Sequence, residues 1–364
     1  MHAPFSHRFR FLGLLLATSA VLVACGDSTA PTGASPPPPP PPPPQVSYLV
    51  RDLDPLPGLA NRRSAEAVAI NDLGQIVGNS RDTDGQRHAV LWTVDEAGRV
   101  TGPRDLGTFD TGTSSTAMGI NNLGQVVGFA DNAGFRRPFI WTEDGGMQDL
   151  GVPDGLLGGQ AHAINDQGQI VGSFITESRV DLTENGRVAI WTVGTDGAVT
   201  EIQDLGTFGG QAATAWANNE LGHVAGAIWF GRGPEGTLSQ TGFFWSEEEG
   251  AVPIERSSQG LSINDKDEVV GPGTVRGESF LWSEERGYTV IDADFALGIN
   301  NSTQAVGRAS EEGAFLWEDG ELHLLPLSLG RTAGTAWAVN EIGIIVGTSF
   351  SDAGNSLAHL WTPN

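Results

Sequence analysis

The stretch Ala67-Val-Ala-Ile-Asn-Asp-Leu-Gly-Gln-Ile-Val-Gly78 returns in altered form six more times before the C-terminus. Its asparagine recurs at spacings of 50, 44, 54, 45, 36 and 40 residues, and a glycine and then a tryptophan follow each copy. A period near 45 residues is typical of a four-stranded propeller blade. The three markers are Asn71, Asn121, Asn165, Asn219, Asn264, Asn300 and Asn340; Gly78, Gly128, Gly172, Gly226, Gly271, Gly307 and Gly347; and Trp92, Trp141, Trp191, Trp245, Trp282, Trp317 and Trp361.

Each period predicts four short strands. Residues 67–70 and 75–77 flank an Asn-Asp-Leu-Gly turn, which indicates a hairpin. The third strand carries the tryptophan, and the fourth contains an Asp-Leu-Gly motif such as residues 105–107. Large and small residues alternate along the first strand, which indicates a sheet packed on both faces by its neighbours.

The turn glycine of the hairpin occupies a position that needs a left-handed backbone. It is replaced by Asp267 in the fifth copy and by Thr303 in the sixth. Because a β-branched residue adopts that conformation poorly, we expect a changed turn at Thr303. The five glycines are Gly74, Gly124, Gly168, Gly222 and Gly343.

The two ends of the repeat region complement each other. Residues 48–54 match a fourth strand with no first three strands before it, and the chain ends at residue 364, just after a third strand. We therefore predict an all-β fold over residues 46–364, a seven-bladed β-propeller of four-stranded blades in which the N-terminal strand completes the last blade. Six blades with a distorted extra segment, or an open solenoid, remain alternatives.

The N-terminal region predicts a lipoprotein. Residues 1–24 read as a signal peptide with a basic start and an apolar run too short to span a bilayer comfortably. Cys25, the single cysteine, stands where a lipid is attached, and residues 25–45 include nine successive prolines that form a tether. We expect a lipid-anchored protein of the bacterial cell envelope, periplasmic or on the cell surface, with membrane contact through this anchor alone.

The repeat resembles a known family. We call the repeated stretch of residues 67–78 the phrase. The repeat resembles the extracellular HAF repeat family over nearly all of residues 48–361, in the phrase, in a strand that begins His88-Ala-Val and in a strand with Asp-Leu-Gly. The resemblance implies extracellular repeats.

The charge limits the partners. The formal net charge is −24, and removal of Arg8 and Arg10 with the signal peptide makes it −26. Nucleic-acid binding requires a cationic face, so this charge disfavours it and we expect no nucleic-acid partner. An excess of acidic residues of this kind usually serves solubility. We also expect a monomer, and we expect no cofactor. Calcium is the sharper alternative, through Asp82-Thr-Asp-Gly85 and Glu143-Asp144, although other EF-hand ligands are missing.

No catalytic motif appears in the sequence, and we expect no catalysis. The histidines that follow the signal peptide fall at unrelated repeat positions without metal-ligand spacing. They are His88, His162, His223, His323 and His359. His162 takes a slot filled elsewhere by Val, Met, Leu or Trp, which indicates a packed histidine. A polysaccharide lyase or hydrolase with carboxylates from different blades, and a structural spacer, are the alternatives.

The repeats differ most in one set of connections. Those between second and third strands share a rim with the connections between blades, and the longest are predicted over residues 173–187 and 227–241. Aromatic and arginine side chains there are the types enriched at interaction hot spots. The sequence therefore predicts a recognition propeller that binds a protein or glycan through this rim. The candidate residues are Trp229, Phe230, Arg232, Phe174 and Arg179.

Overall fold

A computed structural model describes residues 47–57, 64–176, 186–232, 238–309, 313–350 and 356–364. One compact unit extends from Val46 to Asn364. The described residues form 28 strands in seven four-stranded sheets, without a helix. Within these ranges no helix is long and apolar enough to cross a membrane. The all-β, seven-bladed prediction is confirmed.

The strands follow one order in every blade, from the inner strand outward. Blade one contains β2 (Ala65–Ile70), β3 (Gln75–Arg81), β4 (Arg87–Val94) and β5 (Val100–Asp105); blade two β6 (Ser115–Ile120), β7 (Val126–Asn132), β8 (Phe135–Thr142) and β9 (Gly146–Asp149); blade three β10 (Gly158–Ile164), β11 (Gln169–Ile175), β12 (Gly186–Val193) and β13 (Val199–Gly206); and blade four β14 (Ala212–Asn218), β15 (Val224–Arg232), β16 (Leu238–Ser246) and β17 (Gly250–Ile254).

The remaining three blades repeat this order, with the N-terminal strand placed last. Blade five contains β18 (Ser262–Ile263), β19 (Val269–Pro272), β20 (Ser279–Ser283) and β21 (Gly287–Ile291); blade six β22 (Phe295–Ile299), β23 (Ala305–Ala309), β24 (Gly313–Glu318) and β25 (Glu321–Leu324); and blade seven β26 (Ala333–Val339), β27 (Ile345–Phe350), β28 (Ser356–Pro363) and β1 (Tyr48–Leu53).

The N-terminal strand closes the ring of blades, as the sequence of the two chain ends indicated. Strand β1 pairs antiparallel with β28, so that Leu49 lies opposite Thr362 and Val50 opposite Trp361. The first described strand of the chain is therefore the outer strand of the last blade. This pairing supplies the fourth strand of blade seven and covers the edge that β28 would otherwise expose.

The inner strands carry a β-bulge that the sequence pattern did not reveal. In blade one the register shifts between Ala67 and Ala69, so the larger Val68 is the extra residue. Five more inner strands shift at the equivalent place, and their extra residues are Met118, His162, Trp216, Leu297 and Trp337. The large and small alternation along this strand therefore includes a bulge.

The closing glycine of the phrase is required by close backbone contact. A Cβ on Gly78 would lie 1.8 Å from the carbonyl oxygen of Glu66 on the inner strand, and one on Gly307 would lie 1.8 Å from that of Phe295. No side chain fits between two backbones at that distance. The spacing of inner and second strands thus explains why this glycine occurs in all seven copies.

The asparagines of the phrase form a closed ring of hydrogen bonds. Each Nδ2 donates to the backbone carbonyl of the asparagine in the next blade, and Asn340 completes the circuit by donating to Asn71 at 3.1 Å. The other six bonds measure 2.9 to 3.1 Å. All seven side chains are at most 5% exposed. The ring connects every blade to both of its neighbours.

Each ring asparagine also fixes its own turn. Asn71 Oδ1 accepts hydrogen bonds from the backbone of Leu73 at 3.1 Å and of Gln75 at 2.9 Å. Gly74 has a φ of 74°, as the turn predicts. One side chain therefore holds its own hairpin and the neighbouring blade at the same time.

The expectation of a changed turn at Thr303 is wrong. Thr303 keeps the left-handed conformation with a φ of 63°, and its backbone N–H donates to the Asn300 carbonyl as the turn glycines do in other blades. Its hydroxyl donates to Glu268 of blade five at 2.7 Å. Asp267 likewise has a φ of 57° and accepts a hydrogen bond from Asn219 of blade four at 2.8 Å. A side-chain bond to the preceding blade offsets the backbone strain at both positions.

The repeated tryptophans pack between blades. Trp92, Trp191 and Trp361 are fully buried. Their indole N–H groups donate to carbonyls that follow the outer strand of the preceding blade, those of Asp54, Gly151 and Pro326, at 2.7 to 3.0 Å. Each of these three tryptophans thus contributes apolar area and a hydrogen bond to one interface between blades.

We predict that Asn121→Ala destabilises the fold by about 2 to 4 kcal/mol. The substitution removes the bond to Asn165 and leaves the backbone N–H groups of Leu123 and Gln125 without their acceptor. Urea unfolding followed by tryptophan fluorescence measures the change. Asn364→Ala, at an exposed position, is the matched control and is expected to shift stability by less than about 0.5 kcal/mol. Equal midpoints for the two variants would contradict the role of the ring.

Candidate functional site

The first hairpin turns of all seven blades lie on one side of the ring, which we call the turn face. Because consecutive strands are antiparallel, the turns between third and fourth strands lie on the same side. The connections between second and third strands, and those between blades, lie on the opposite side, which we call the loop face. The rim predicted from the sequence belongs to the loop face.

A second closed ring surrounds the axis at the turn face. The residue after each ring asparagine donates its backbone N–H to the side-chain oxygen of its counterpart in the next blade, as Asp72 does to Asn122 at 2.9 Å. Glu341 closes the circuit by donating to Asp72 at 3.0 Å. Five of the seven members are carboxylates. The members are Asp72, Asn122, Asp166, Glu220, Asp265, Asn301 and Glu341.

This second ring gives the centre of the turn face a negative potential. Burial raises the pKa of the Glu341 carboxyl above its ordinary value, and the nearby charges of Asp72 and Asp265 raise it further, although a hydrogen bond from the Asn301 backbone opposes them. The direction of this shift is that expected for a carboxylate among like charges. Cationic groups are therefore attracted to this part of the surface.

Large aliphatic side chains project from the tips of four of these turns. Leu73, Leu123, Leu221 and Ile342 are 55% to 64% exposed. They occupy the same turn position in blades one, two, four and seven, and the first, second and last of these blades are adjacent in the ring. Exposed aliphatic residues arranged around a charged centre are typical of an interaction surface.

The described residues form three grooves of one kind on the turn face. The groove of blade two has a volume of about 560 Å³ and is lined by Leu123, Trp141 and Glu143, among others. The equivalent groove of blade four has about 450 Å³, with Leu221 and Trp245 in its wall. A third, at blade five, measures about 420 Å³. Each runs between the first and the last turn of its blade.

A Trp-x-Glu motif lines all three grooves, at the end of the third strand. The motifs are Trp141-Thr-Glu143, Trp245-Ser-Glu247 and Trp282-Ser-Glu284. In blade two, the guanidinium of Arg104 lies 5.0 Å from the centre of the Trp141 ring and donates to the Glu143 carboxylate at 2.5 Å. An aromatic face and a carboxylate together bind a guanidinium there.

The groove of blade four has more carboxylates, and no described arginine takes the place that Arg104 has in blade two. Glu247, Glu248 and Glu249 are exposed and form no ion pair with any described residue. The position equivalent to Arg104 is Gln203, whose amide donates to Glu201 on its own strand at 2.9 Å. The chain therefore supplies no guanidinium to this groove from that position.

A histidine–aspartate pair forms one side of the groove of blade four. His223 Nδ1 lies 2.8 Å from Asp267 Oδ1, and the ring packs edge-on against Phe244 at 5.3 Å. Asp267 comes from the turn of blade five. The pair thus connects two blades at the edge of the groove and leaves the imidazole beside an aromatic wall.

The residues predicted for the rim do not form a common exposed patch. Phe174 and Trp229 are 0% and 2% exposed, so the expectation that they project from the rim is wrong. Both belong to strands that extend further than the sequence indicated, and Phe174 packs against Trp191 at 5.0 Å. Phe230 is 52% exposed. The Arg232 side chain and Arg179 lie outside the described residues.

His162 is a packed histidine, as its repeat position predicts. It lies at the inner-strand bulge of blade three, is buried, and stacks on Trp216 with ring centres 4.6 Å apart. Its Nδ1 lies 2.7 Å from the Ala215 carbonyl. Burial lowers its pKa to about 4, although the hydrogen bond to this carbonyl raises it. The ring is therefore neutral near pH 7.

A serine, a histidine and an aspartate meet in blade seven. His359 Nδ1 lies 3.0 Å from Asp52 of β1, and the Ser349 hydroxyl contacts the other ring nitrogen. Desolvation lowers the pKa of His359, although the Asp52 charge opposes it. The order of groups is that of a Ser-His-Asp triad, but Ser349 and His359 are 0% exposed. Here the set fastens β1 to β27 and β28 rather than presenting a nucleophile to a substrate.

The loop considered for calcium is held by its own side chain. Asp82 Oδ1 accepts hydrogen bonds from the backbone of Asp84 at 2.9 Å and of Gln86 at 2.8 Å. Among the described residues no group of three or more His, Cys, Asp or Glu is arranged to hold a metal ion. The aspartate at the start of this loop therefore acts as a turn acceptor.

Comparison with known proteins supports the architecture. The family described as "Protein of unknown function (DUF3466)" matches residues 49–138, about a quarter of the chain. No curated protein matches the chain significantly. The β-propeller domain of the Trilobed protease from Pyrococcus furiosus is similar with a TM-score of 0.53 and 11% identity, over 83% of this chain and 94% of that one. Its description names an open velcro topology, whereas here β1 pairs with β28.

Two further solved structures are similar to this chain. An acylaminoacyl peptidase from Pyrococcus horikoshii gives a TM-score of 0.51 and 10% identity over 83% of this chain, which spans about half, 51%, of the peptidase. A virginiamycin B lyase from Staphylococcus aureus gives 0.47 and 12% identity, over 87% of this chain and 100% of that one. At a sequence identity this low, the similarity to the peptidase supports a shared fold and nothing finer.

Sequence reasoning missed the turn face as a candidate site. The aliphatic tips and the Trp-x-Glu motif recur at fixed places in the repeat, so both signals are present in the sequence. The segments that differ most between repeats lie on the loop face, and they pointed to that face instead. The buried set around His359 left no such signal, since its members come from separate strands.

We predict that the contribution of His162 to stability falls with acidity between pH 6.5 and about 4. The folded pKa of His162 lies below that of the unfolded chain, so the unfolded state takes up the proton first. The contribution is complete above pH 6.5, declines as the pH falls toward about 4, and is at most about 3 kcal/mol. The lowered pKa of His359 acts in the same direction. Urea unfolding at a series of pH values measures it.

The matched variant for this prediction is His162→Met, which introduces the residue of blade two at the same bulge. Its stability is expected to depend less steeply on pH than that of the parent chain between pH 6.5 and 4. Identical slopes in the two proteins would show that His162 does not carry the effect.

Proposed function

We propose that this protein is a recognition module of the bacterial cell envelope, anchored by a lipid on Cys25 and held away from the membrane by its proline tether. It binds a protein partner through the turn face and carries out no chemical reaction. The observation that carries this proposal is the set of exposed aliphatic tips, Leu73, Leu123, Leu221 and Ile342, around the second ring, in which five of seven members are carboxylates.

The construction of the turn face supports a binding role. Each tip stands on a turn whose backbone is fixed by a buried asparagine, as Leu73 is by Asn71 at 3.1 Å. A preformed surface loses little conformational entropy when a partner docks on it. The aliphatic tips supply the apolar area, and the carboxylates at the centre of the turn face favour a partner with basic side chains.

The loop face offers less support for the same role. Two of its five predicted contact residues are buried: Phe174 lies between blades two and three, and Trp229 lies in an apolar cluster of blade four. Phe230 remains as an exposed aromatic on that side. The turn face combines apolar tips, grooves and charge on one surface, so we assign the partner to it.

We predict that the double variant Leu73→Ser/Leu123→Ser recovers at least tenfold less partner than the parent protein. Each leucine that is buried on docking contributes about 1 to 2 kcal/mol, and about 1.4 kcal/mol corresponds to tenfold in affinity. Tagged protein is expressed in its native envelope and isolated, and the co-purified partner is quantified.

Two control variants test the assignment to this face. Leu324→Ser removes a leucine that is 51% exposed on the outer strand β25 and is expected to leave recovery unchanged. Phe230→Ser probes the loop face. Full recovery with the double variant, together with loss on Phe230→Ser, would transfer the binding site to the loop face and overturn this proposal.

We predict that Cys25→Ser releases the protein from the membrane fraction. A lipid anchor depends on the thiol of this residue, and no other cysteine is available to replace it. Phase separation in a detergent that clouds on warming distinguishes the lipidated form from the released form. Retention of the variant in the detergent phase would contradict a lipid anchor at this position.

A further inference from the structure

We infer that the groove of blade four binds an arginine side chain of the protein partner, between the ring of Trp245 and the carboxylate of Glu247. This inference deepens the proposed function and rests on it, since it names the group that the turn face recognises. It depends on a comparison between equivalent positions of one chain.

Blade two shows what the motif binds. Arg104, from the outer strand of blade one, places its guanidinium 5.0 Å from the Trp141 ring centre and 2.5 Å from Glu143. A planar cation is attracted by the negative face of an indole, and a carboxylate accepts its N–H groups. The protein thus contains a guanidinium complex of its own Trp-x-Glu motif.

Blade four repeats the motif without the internal cation. Trp245 and Glu247 occupy the places of Trp141 and Glu143, and the partly exposed indole lines a groove of about 450 Å³. Gln203, the counterpart of Arg104, is neutral and bonded to Glu201. The arrangement that binds an arginine within the chain in blade two is therefore available to an arginine from another molecule.

The surroundings of the blade-four groove strengthen its preference for a cation. Glu248, Glu249 and Glu284 line it in addition to Glu247, and none of them forms an ion pair with a described residue. Asp267, also in the lining, is paired with His223 at 2.8 Å. Several unneutralised carboxylates beside an aromatic wall favour a positively charged group over a neutral one of the same shape.

The groove of blade five differs in the charge of its lining. It shares Phe244, Asp267 and Glu284 with that of blade four, but it is also lined by Lys266, the single lysine of the chain. A cation already present lowers the attraction for a second one. Of the three grooves, the blade-four groove is therefore the one assigned to a partner's arginine.

The test is a titration of the full chain, labelled with 15N in its tryptophan indoles, with short peptides of the form acetyl-Gly-X-Gly-amide. With X as arginine, the Trp245 indole signal, assigned by its loss in Trp245→Phe, is expected to shift saturably while the Trp141 signal stays in place. Citrulline, which has the same shape without the charge, is expected to bind at least tenfold more weakly, and so is arginine on the Glu247→Gln variant.

A second variant uses blade two as the matched control. Arg104→Ala removes the internal guanidinium, so the Trp141 signal is expected to respond to the arginine peptide as the Trp245 signal does. A Trp245 signal that does not move, or that moves equally with citrulline, overturns the inference. Because Arg104→Ala removes an exposed ion pair, the folding of this variant is checked by the dispersion of the remaining indole signals.

The outcomes separate this inference from the proposed function. A silent Trp245 signal, combined with loss of partner in Leu73→Ser/Leu123→Ser, leaves the turn face as the docking surface and removes the arginine site. A Trp245 response to arginine, combined with full partner recovery in the leucine variant, keeps the guanidinium site and overturns docking on the turn-face tips.

Discussion

The structure depends on a circle of seven side-chain hydrogen bonds near the axis. Each buried asparagine donates to the backbone of the next, and the last donates to the first. A closed circle constrains the angle between neighbouring blades, because a blade placed differently would break the bonds on both sides. The same side chains hold the hairpin turns, so the local structure of a blade and its place in the ring depend on one residue type.

Departures from the repeat are tolerated where a new contact takes over. Asp267 and Thr303 hold a left-handed backbone that favours glycine, and both reach across to the preceding blade with a side-chain hydrogen bond. His359 stands where other blades bury an apolar residue such as Phe139, and its ring nitrogens contact Asp52 and Ser349. The polar side chains at these three positions persist because each finds a partner.

Under the function that we propose, the same scaffold separates stability from recognition. Asparagines, glycines and buried tryptophans determine the ring, so the turn tips and the ends of the third strands are free to vary between blades. Leucine at some tips and a Trp-x-Glu motif in three blades add apolar area and negative charge without altering the turns that carry them. A binding surface built on turns of this kind is rigid before any partner arrives.

The amino-acid sequence by itself predicted the number of blades, the turn in the five copies that carry a glycine and the closing role of residues 48–54, because each follows from a local pattern that recurs along the chain. Only the tertiary structure decided which side chains meet. The tertiary structure buried Phe174 and Trp229 because β11 and β15 extend into segments that the sequence predicted as connections. It brought Asp52 to His359 because the first described strand lies beside the last. It also placed Arg104 on Trp141, and among the described residues it placed no arginine on Glu247, since such contacts join different blades and depend on the packing angle between them.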